Sequence, residues 1–81
     1  MSISSSGLIG IGTNSPSEKL HLFGNVNDDV KLEIENDFAG KNSVLLLNSG
    51  LNGDSVIHFA ENDTVRGIIT YDGGTDILKI I

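Results

Sequence analysis

The sequence has no cysteine, no tryptophan and a single proline among its 81 residues. Without cysteine there can be no disulfide framework, and no residues have the spacing of a zinc finger. A monomer this short buries a comparatively small fraction of its surface. Because the two usual staples of small folds are missing, we expect association with other chains to supply the additional burial.

Basic residues are also scarce. Five Lys and Arg stand against eleven Asp and Glu, which gives a net charge of −6 and a pI of about 4.5. Affinity for nucleic acid depends on clustered Lys and Arg, so this composition argues against a nucleic-acid partner. No apolar run has the length of a membrane span, and residues 1–6, MSISSS, lack the regions of a signal peptide. We therefore expect no membrane partner and assembly in the cytoplasm.

The stretch 9–24, IGIGTNSPSEKLHLFG, is the one segment whose residues are related to one another by position. Gly10 and Gly12 alternate with isoleucines, so one face of an extended segment carries no side chain. We expect something to approach that bare face closely, such as another backbone. The residues after the proline predict a short strand with Leu20 and Leu22 on one face.

Between these two strands the sequence predicts a break with one helical turn. Ser15 can cap a helix, Pro16 has its φ preset for the first helical position, and Glu18 follows Ser15 at the spacing of a capping box. The prediction is therefore one turn of helix at Pro16.

The remainder of the sequence predicts short antiparallel strands. Residues 30–35 alternate between apolar and charged without a fault, whereas residues 44–47 are apolar on both faces of a strand. Gly67 marks a bulge or a close backbone approach, and residues 72–75, DGGT, are a strong hairpin signal. The predicted strands are 30–35, 44–47, 55–60, 64–71 and 76–81. Their rhythm is typical of an all-β meander.

Residues 10–22, GIGTNSPSEKLHL, resemble the GIGTxxPxxKLHV module of bacteriophage tail-fibre and tail-spike proteins, which is common in marine phages. Leu22 stands where the pattern has valine. In that family the module belongs to elongated homotrimeric shafts or heads, often upstream of a self-cleaving chaperone domain that drives trimerisation. No chaperone domain follows Ile81, so the resemblance implies a fragment or a processed piece. A bacterial surface protein with the same module remains an alternative source.

The resemblance and the patterns together predict an all-β, homotrimeric, fibre-like structure in a single domain. The expected divisions are a disordered tail at 1–6, a collar module at 7–24 and a β-meander at 25–81. The residues expected to pack in the collar, in the core or between chains are Ile9, Ile11, Leu20, Leu22, Val30, Leu32, Ile34, Val44, Leu46, Ile57, Phe59, Ile69 and Leu78.

The function that follows is structural: a shaft or head segment of a phage tail fibre in the virion. Its partners would be other copies of itself and the neighbouring fibre segments. The alternative is a receptor-binding tip that recognises host surface glycan through four turn residues. These receptor-contact residues are Asn52, Asp54, Asn62 and Asp63. Exposed aromatic residues beside turns, Phe38 and Tyr71, would be the first to test for such binding.

No arrangement of residues indicates catalysis, a metal or a cofactor. His21 and His58 have no carboxylate or second histidine at ligand spacing, and we interpret them as ordinary strand residues. Residues 72–76, DGGTD, lack the alternating ligands of an EF-hand and are better explained as a turn. Glu33 and Glu35 lie two residues apart and could line one cleft, but a solvated strand face explains them better.

Overall fold

A computed structural model describes residues 1–81 and shows an all-β chain with two three-stranded sheets and no helix. It accordingly has no helix of membrane-spanning length. The chain divides into two compact units, Met1–Glu35 and Asn36–Ile81. The all-β class predicted from the sequence is confirmed.

The first unit contains β1 (Ser2–Ile3), β2 (Ile9–Ile11) and β3 (Leu20–Leu22). The central strand β2 pairs antiparallel with β1 and parallel with β3. The sequence predicts a disordered tail over residues 1–6, whereas the structure places two of these residues in β1. A turn closed by Gly7 makes this possible: Ser4 N donates to Leu8 O at 2.8 Å, and Gly7 has a φ of 83°. Gly7 adopts this left-handed conformation without steric cost, and the serine-rich composition gives no sign of the pairing.

The helical turn predicted at Pro16 is not confirmed. The residues around it form bends, and side chains hold their amides. Ser15 N donates to Thr13 Oγ1 at 3.0 Å, and Ser17 N donates to His21 Nδ1 at 3.2 Å. The spacing of Ser15 and Glu18 describes contacts within one turn of helix. It does not specify that the segment leads into β3, which must lie parallel to β2.

The second unit contains β4 (Ser55–Glu61), β5 (Thr64–Asp72) and β6 (Ile77–Ile80), which form an antiparallel meander. The hairpin predicted at residues 72–75 is confirmed, because β5 and β6 pair in register across a turn at 73–76. The other hairpin turn contains Asn62 and Asp63, with φ values of 52° and 66°. Positive φ at both central residues is the signature of a tight turn whose twist matches paired strands.

The bulge predicted near Gly67 is also confirmed. Phe59 pairs with Gly67, but the next pair joins Ala60 to Val65, so Arg66 is an extra residue on β5. An added Cβ at Gly67 would make only ordinary contacts, at 3.7 Å from Ile81 O and 3.8 Å from the Phe59 Cβ. The glycine therefore marks the bulge and does not accommodate a close backbone approach.

Two predicted strands, 30–35 and 44–47, belong to neither sheet. The turn between them, predicted at 36–42, does form, with Lys41 N donating to Phe38 O at 3.2 Å. The antiparallel meander therefore covers residues 55–80, not 25–81. Alternation predicts which side chains would share a face. A strand also requires a neighbouring strand to pair with, and these two segments pair with no other strand in the chain.

Candidate interaction surfaces

No hydrophobic side chain is buried in this chain, and only Gly10 and Thr70 are classed as buried at all. Natural domains normally place their large aliphatic side chains inside, and an extended exposed apolar surface marks a site of association. The candidate functional surfaces are therefore the places where exposed apolar residues are sorted onto one face.

The first such surface is one face of the N-terminal sheet. Ile9 pairs with Leu20 and Ile11 pairs with Leu22, so all four side chains lie on the same face. Ile11 is 45% exposed and Leu20 is 52% exposed. The sequence predicts these four residues to pack together, and the structure places them side by side. We call them the N-terminal apolar face.

At Gly10 the opposite face of this sheet is covered by the chain's own backbone. An added Cβ on Gly10 would collide with Thr13 O, and Ser2 Oγ donates to the same oxygen at 3.0 Å. An added Cβ on Gly12 would collide with Phe23 O. The close approach expected from the glycine spacing is confirmed, and the approaching group is backbone. The N-terminal apolar face is consequently the side left to bind another surface.

The second surface is one face of the C-terminal sheet. Ile57, Ile69 and Ile80 lie in one row across the three strands, and Tyr71 pairs with Leu78. Phe59 lies opposite Gly67, within van der Waals distance of where a Cβ would be. The C-terminal apolar face therefore consists of Ile57, Phe59, Ile69, Tyr71, Leu78 and Ile80. Four of these six residues belong to the set predicted from the sequence: Ile57, Phe59, Ile69 and Leu78.

A leucine run adjoins this face and leaves a groove. Leu45, Leu46 and Leu47 line a cavity of about 310 Å³ together with Ile57 and residues of the neighbouring strands. The run is tethered by Ser55 Oγ, which donates to Leu47 O at 2.9 Å. Leu46 remains 79% exposed. The groove is thus an open apolar surface.

The other predicted packing residues lie outside both faces. Val30, Leu32 and Ile34 are 52%, 64% and 46% exposed, and Val44 is 65% exposed. None of them belongs to a strand. The structure therefore does not bring these four residues to the apolar faces of the sheets.

The four predicted receptor-contact residues lie at two separate places. Asn62 and Asp63 form the turn between β4 and β5. Asn52 and Asp54 belong to the turn before β4, and this turn packs against the β5–β6 turn, because Asp54 Oδ1 accepts from Gly73 N at 3.1 Å. Since β5 runs from one turn to the other over nine residues, the two pairs lie at its opposite ends. They do not form one binding patch.

Sequence reasoning identified the β5–β6 turn but missed what holds it. The Asp72 carboxylate accepts from Gly74 N at 2.9 Å, from Thr75 N at 3.2 Å and from Lys79 Nζ at 3.2 Å. The hydrogen bond from the Gly74 amide is the main cause of a lowered pKa of Asp72, and the hydrogen bond from Lys79 is the second. The signal was available, because an aspartate ahead of two glycines commonly bonds the backbone two residues on.

Tyr71 makes a second unpredicted contact at this turn. Its hydroxyl donates to Asp76 Oδ1, and this hydrogen bond to a carboxylate raises the pKa of Tyr71. Asp76 has a φ of 59°, a conformation in which aspartate is tolerated better than most residues. The phenol and the carboxylate are five residues apart, so the contact depends on the turn conformation.

The two histidines are in different surroundings. His21 is half-buried, accepts from Ser17 N and packs edge-on to Phe23 at 6.1 Å between ring centroids. His58 is exposed on β4. No group of three or more potential metal ligands occurs in the chain. The side chains of this chain thus form apolar surfaces suited to association, and turns held by hydrogen bonds.

A comparison with protein-family models finds no match, and a search of curated proteins finds none either.

Proposed function

We propose that this chain is a structural module of a phage tail fibre, a segment of a homotrimeric shaft or head in the virion's attachment apparatus. The observation that carries the proposal is that exposed apolar side chains form one face of the N-terminal sheet and lie on both faces of the C-terminal sheet, yet none is buried. Burying one leucine or isoleucine side chain is worth about 1.5–3 kcal/mol. A chain that leaves this free energy unused has its stabilising contacts in an assembly.

The resemblance of residues 10–22 to the tail-fibre module supports the same conclusion. The residues that carry this resemblance have identifiable structural roles in the N-terminal sheet. Gly10 and Gly12 leave room for backbone atoms that a Cβ would displace, and Ile11 and Leu22 pair on the apolar face. Three copies around a common axis would cover the N-terminal apolar faces with one another. Pairing of sheet edges between chains would also protect those edges from uncontrolled aggregation.

The solution mass tests this proposal. Light scattering behind a sizing column should give a mass near three times the 8.6 kDa of one chain. The Ile11→Asp variant should give a single-chain mass, because a charge in a covered apolar contact is strongly unfavourable. Leu51→Asp is the matched control, since Leu51 is 97% exposed in a turn, and it should keep the trimer. A folded monomer of the unsubstituted chain would refute the proposal.

The alternative function is a tip that binds host glycan. The four turn residues proposed for it do not share one surface, because they lie at two ends of β5. A binding screen against host polysaccharide separates the two functions. A shaft segment should give no signal, whereas saturable binding lost in Asn62→Ala would favour the tip.

A further inference from the structure

The outer edge of β6 is open. The strand order is β4-β5-β6, so β6 pairs only with β5. The pairing continues one residue beyond the strand, with Ile68 N donating to Ile81 O at 3.0 Å and Ile81 N donating to Ile68 O at 2.7 Å. Five residues, 77–81, thus form a regular ladder on one side only. An open edge of this kind is a template for adding a further strand.

Residues 30–35 are a strand sequence without a partner. No backbone group of this segment makes a hydrogen bond to another backbone group, and all six residues are exposed. Three alternate residues are apolar and the other three are charged. Joining a sheet would pair the backbone of this segment and cover its apolar side chains.

One register places the apolar side chains of this segment beside those of β6. On β6, Leu78 and Ile80 belong to the C-terminal apolar face, whereas Lys79 lies on the opposite face between Ile77 and Ile81. A strand added at this edge would extend the apolar face by three aliphatic side chains and place carboxylates beside Lys79. The side chains concerned are Val30, Leu32 and Ile34 on the apolar side, with Lys31, Glu33 and Glu35 on the other.

Charge favours this pairing over a parallel pairing of like segments. Lys79 Nζ lies 3.2 Å from Asp72 Oδ2, yet its side chain is still 44% exposed, so it can take a second carboxylate. A parallel in-register pairing of residues 30–35 with themselves would instead set Lys31 against Lys31 and Glu33 against Glu33. Like charges directly opposite are destabilising.

We propose that the open edge of β6 binds residues 30–35 of a second copy of this chain as a fourth strand, with Glu33 beside Lys79. The inference rests on the proposed function, because it specifies how the copies of the homotrimer join. The contact is heterologous, since one copy contributes β6 and the next contributes the segment. Such contacts generate a closed ring when the rotation between copies closes, and three copies suffice.

Disulfide cross-linking tests the pairing directly, because the natural chain has no cysteine. Glu33→Cys chains carrying a tag are mixed with untagged Lys79→Cys chains, dissociated, reassembled and oxidised. The expected product is a disulfide that joins one tagged to one untagged chain. The matched control pairs Glu33→Cys with Leu78→Cys, whose side chain lies on the other face, and should form at most a tenth as much product. Equal yields would overturn the assigned pairing.

The double variant Glu33→Cys/Lys79→Cys distinguishes a second copy from the chain itself. Linked multimers on a non-reducing gel are expected, whereas a disulfide confined to single chains would overturn the proposal. Hydrogen exchange on the unsubstituted assembly covers the case in which the variants do not assemble. Alternate amides within residues 30–35, those that face β6, should exchange at least tenfold more slowly in the assembly than in dissociated chains. A trimeric mass with unprotected amides would refute this inference alone, and a monomeric mass would refute the proposed function.

Discussion

Gly12 and Gly7 have nearly the same backbone conformation in different surroundings. Their φ values are 85° and 83°, but an added Cβ would collide with Phe23 O at Gly12 and would meet nothing within 4 Å at Gly7. A left-handed conformation costs an L-residue roughly 1–2 kcal/mol. The two positions therefore separate conformational strain from a steric clash.

We expect Gly7→Ala to lower the free energy of unfolding by about 1 kcal/mol, through strain alone. Gly12→Ala should lower the free energy of unfolding by more than about 2 kcal/mol. The added Cβ would meet the Phe23 carbonyl, which cannot move aside without disturbing the pairing of β3 with β2. Urea denaturation followed by circular dichroism measures both. Equal losses for the two variants would contradict the clash at Gly12.

At the scale of elements, the β5–β6 hairpin depends on one carboxylate. Asp72 accepts two backbone amides of the turn and pairs with Lys79 across the strands. These donors favour the ionised form, which is why the pKa of Asp72 lies below its usual range. Asparagine at this position could still accept from the amides but would lose the charge.

The depressed pKa makes the stability of this hairpin depend on pH. Because the folded pKa is below the unfolded value of about 3.9, the contribution of Asp72 is complete above that value and is lost as the pH falls through the folded pKa. Asp72→Asn should therefore flatten the decrease in melting temperature below about pH 4. Asp37→Asn, which removes the same charge from the turn at 36–42, should not. A decrease that is unchanged in Asp72→Asn would contradict the assignment.

The elements also show which predictions local sequence supports. The β5–β6 hairpin and the bulge beside Gly67 follow from residues that lie next to one another in the chain, so turn chemistry was sufficient. The strand predicted at 30–35 has the clearest alternation of all, yet it pairs with nothing in the chain. Strand formation requires a second edge, which no property of the segment itself supplies.

Charge acts at the scale of the whole molecule. Each chain carries −6, so three chains carry −18. This net charge opposes association at low ionic strength, and salt shortens the range of the repulsion to about 10 Å at 0.1 M. We expect the fraction of chains in the proposed trimer, measured by light scattering at fixed chain concentration, to rise severalfold between about 10 mM and about 200 mM salt.

A variant with less charge provides the control. Asp28→Asn/Asp29→Asn lowers the net charge to −4 per chain and should assemble at lower salt than the natural sequence. If added salt dissociated the assembly, ion pairs such as Glu33 with Lys79 would outweigh the net repulsion and apolar contacts.

Residue patterns alone were enough to predict the all-β class, the hairpin at residues 72–75, the bulge beside Gly67 and the close approach to Gly10 and Gly12. Each of these depends on the conformational preferences of a few neighbouring residues. The folded structure was needed to show that β1 includes N-terminal residues, that no helix forms at Pro16, and that the four turn residues lie at two ends of β5. These features depend on which distant segments pair, and pairing is a property of edges brought together in space.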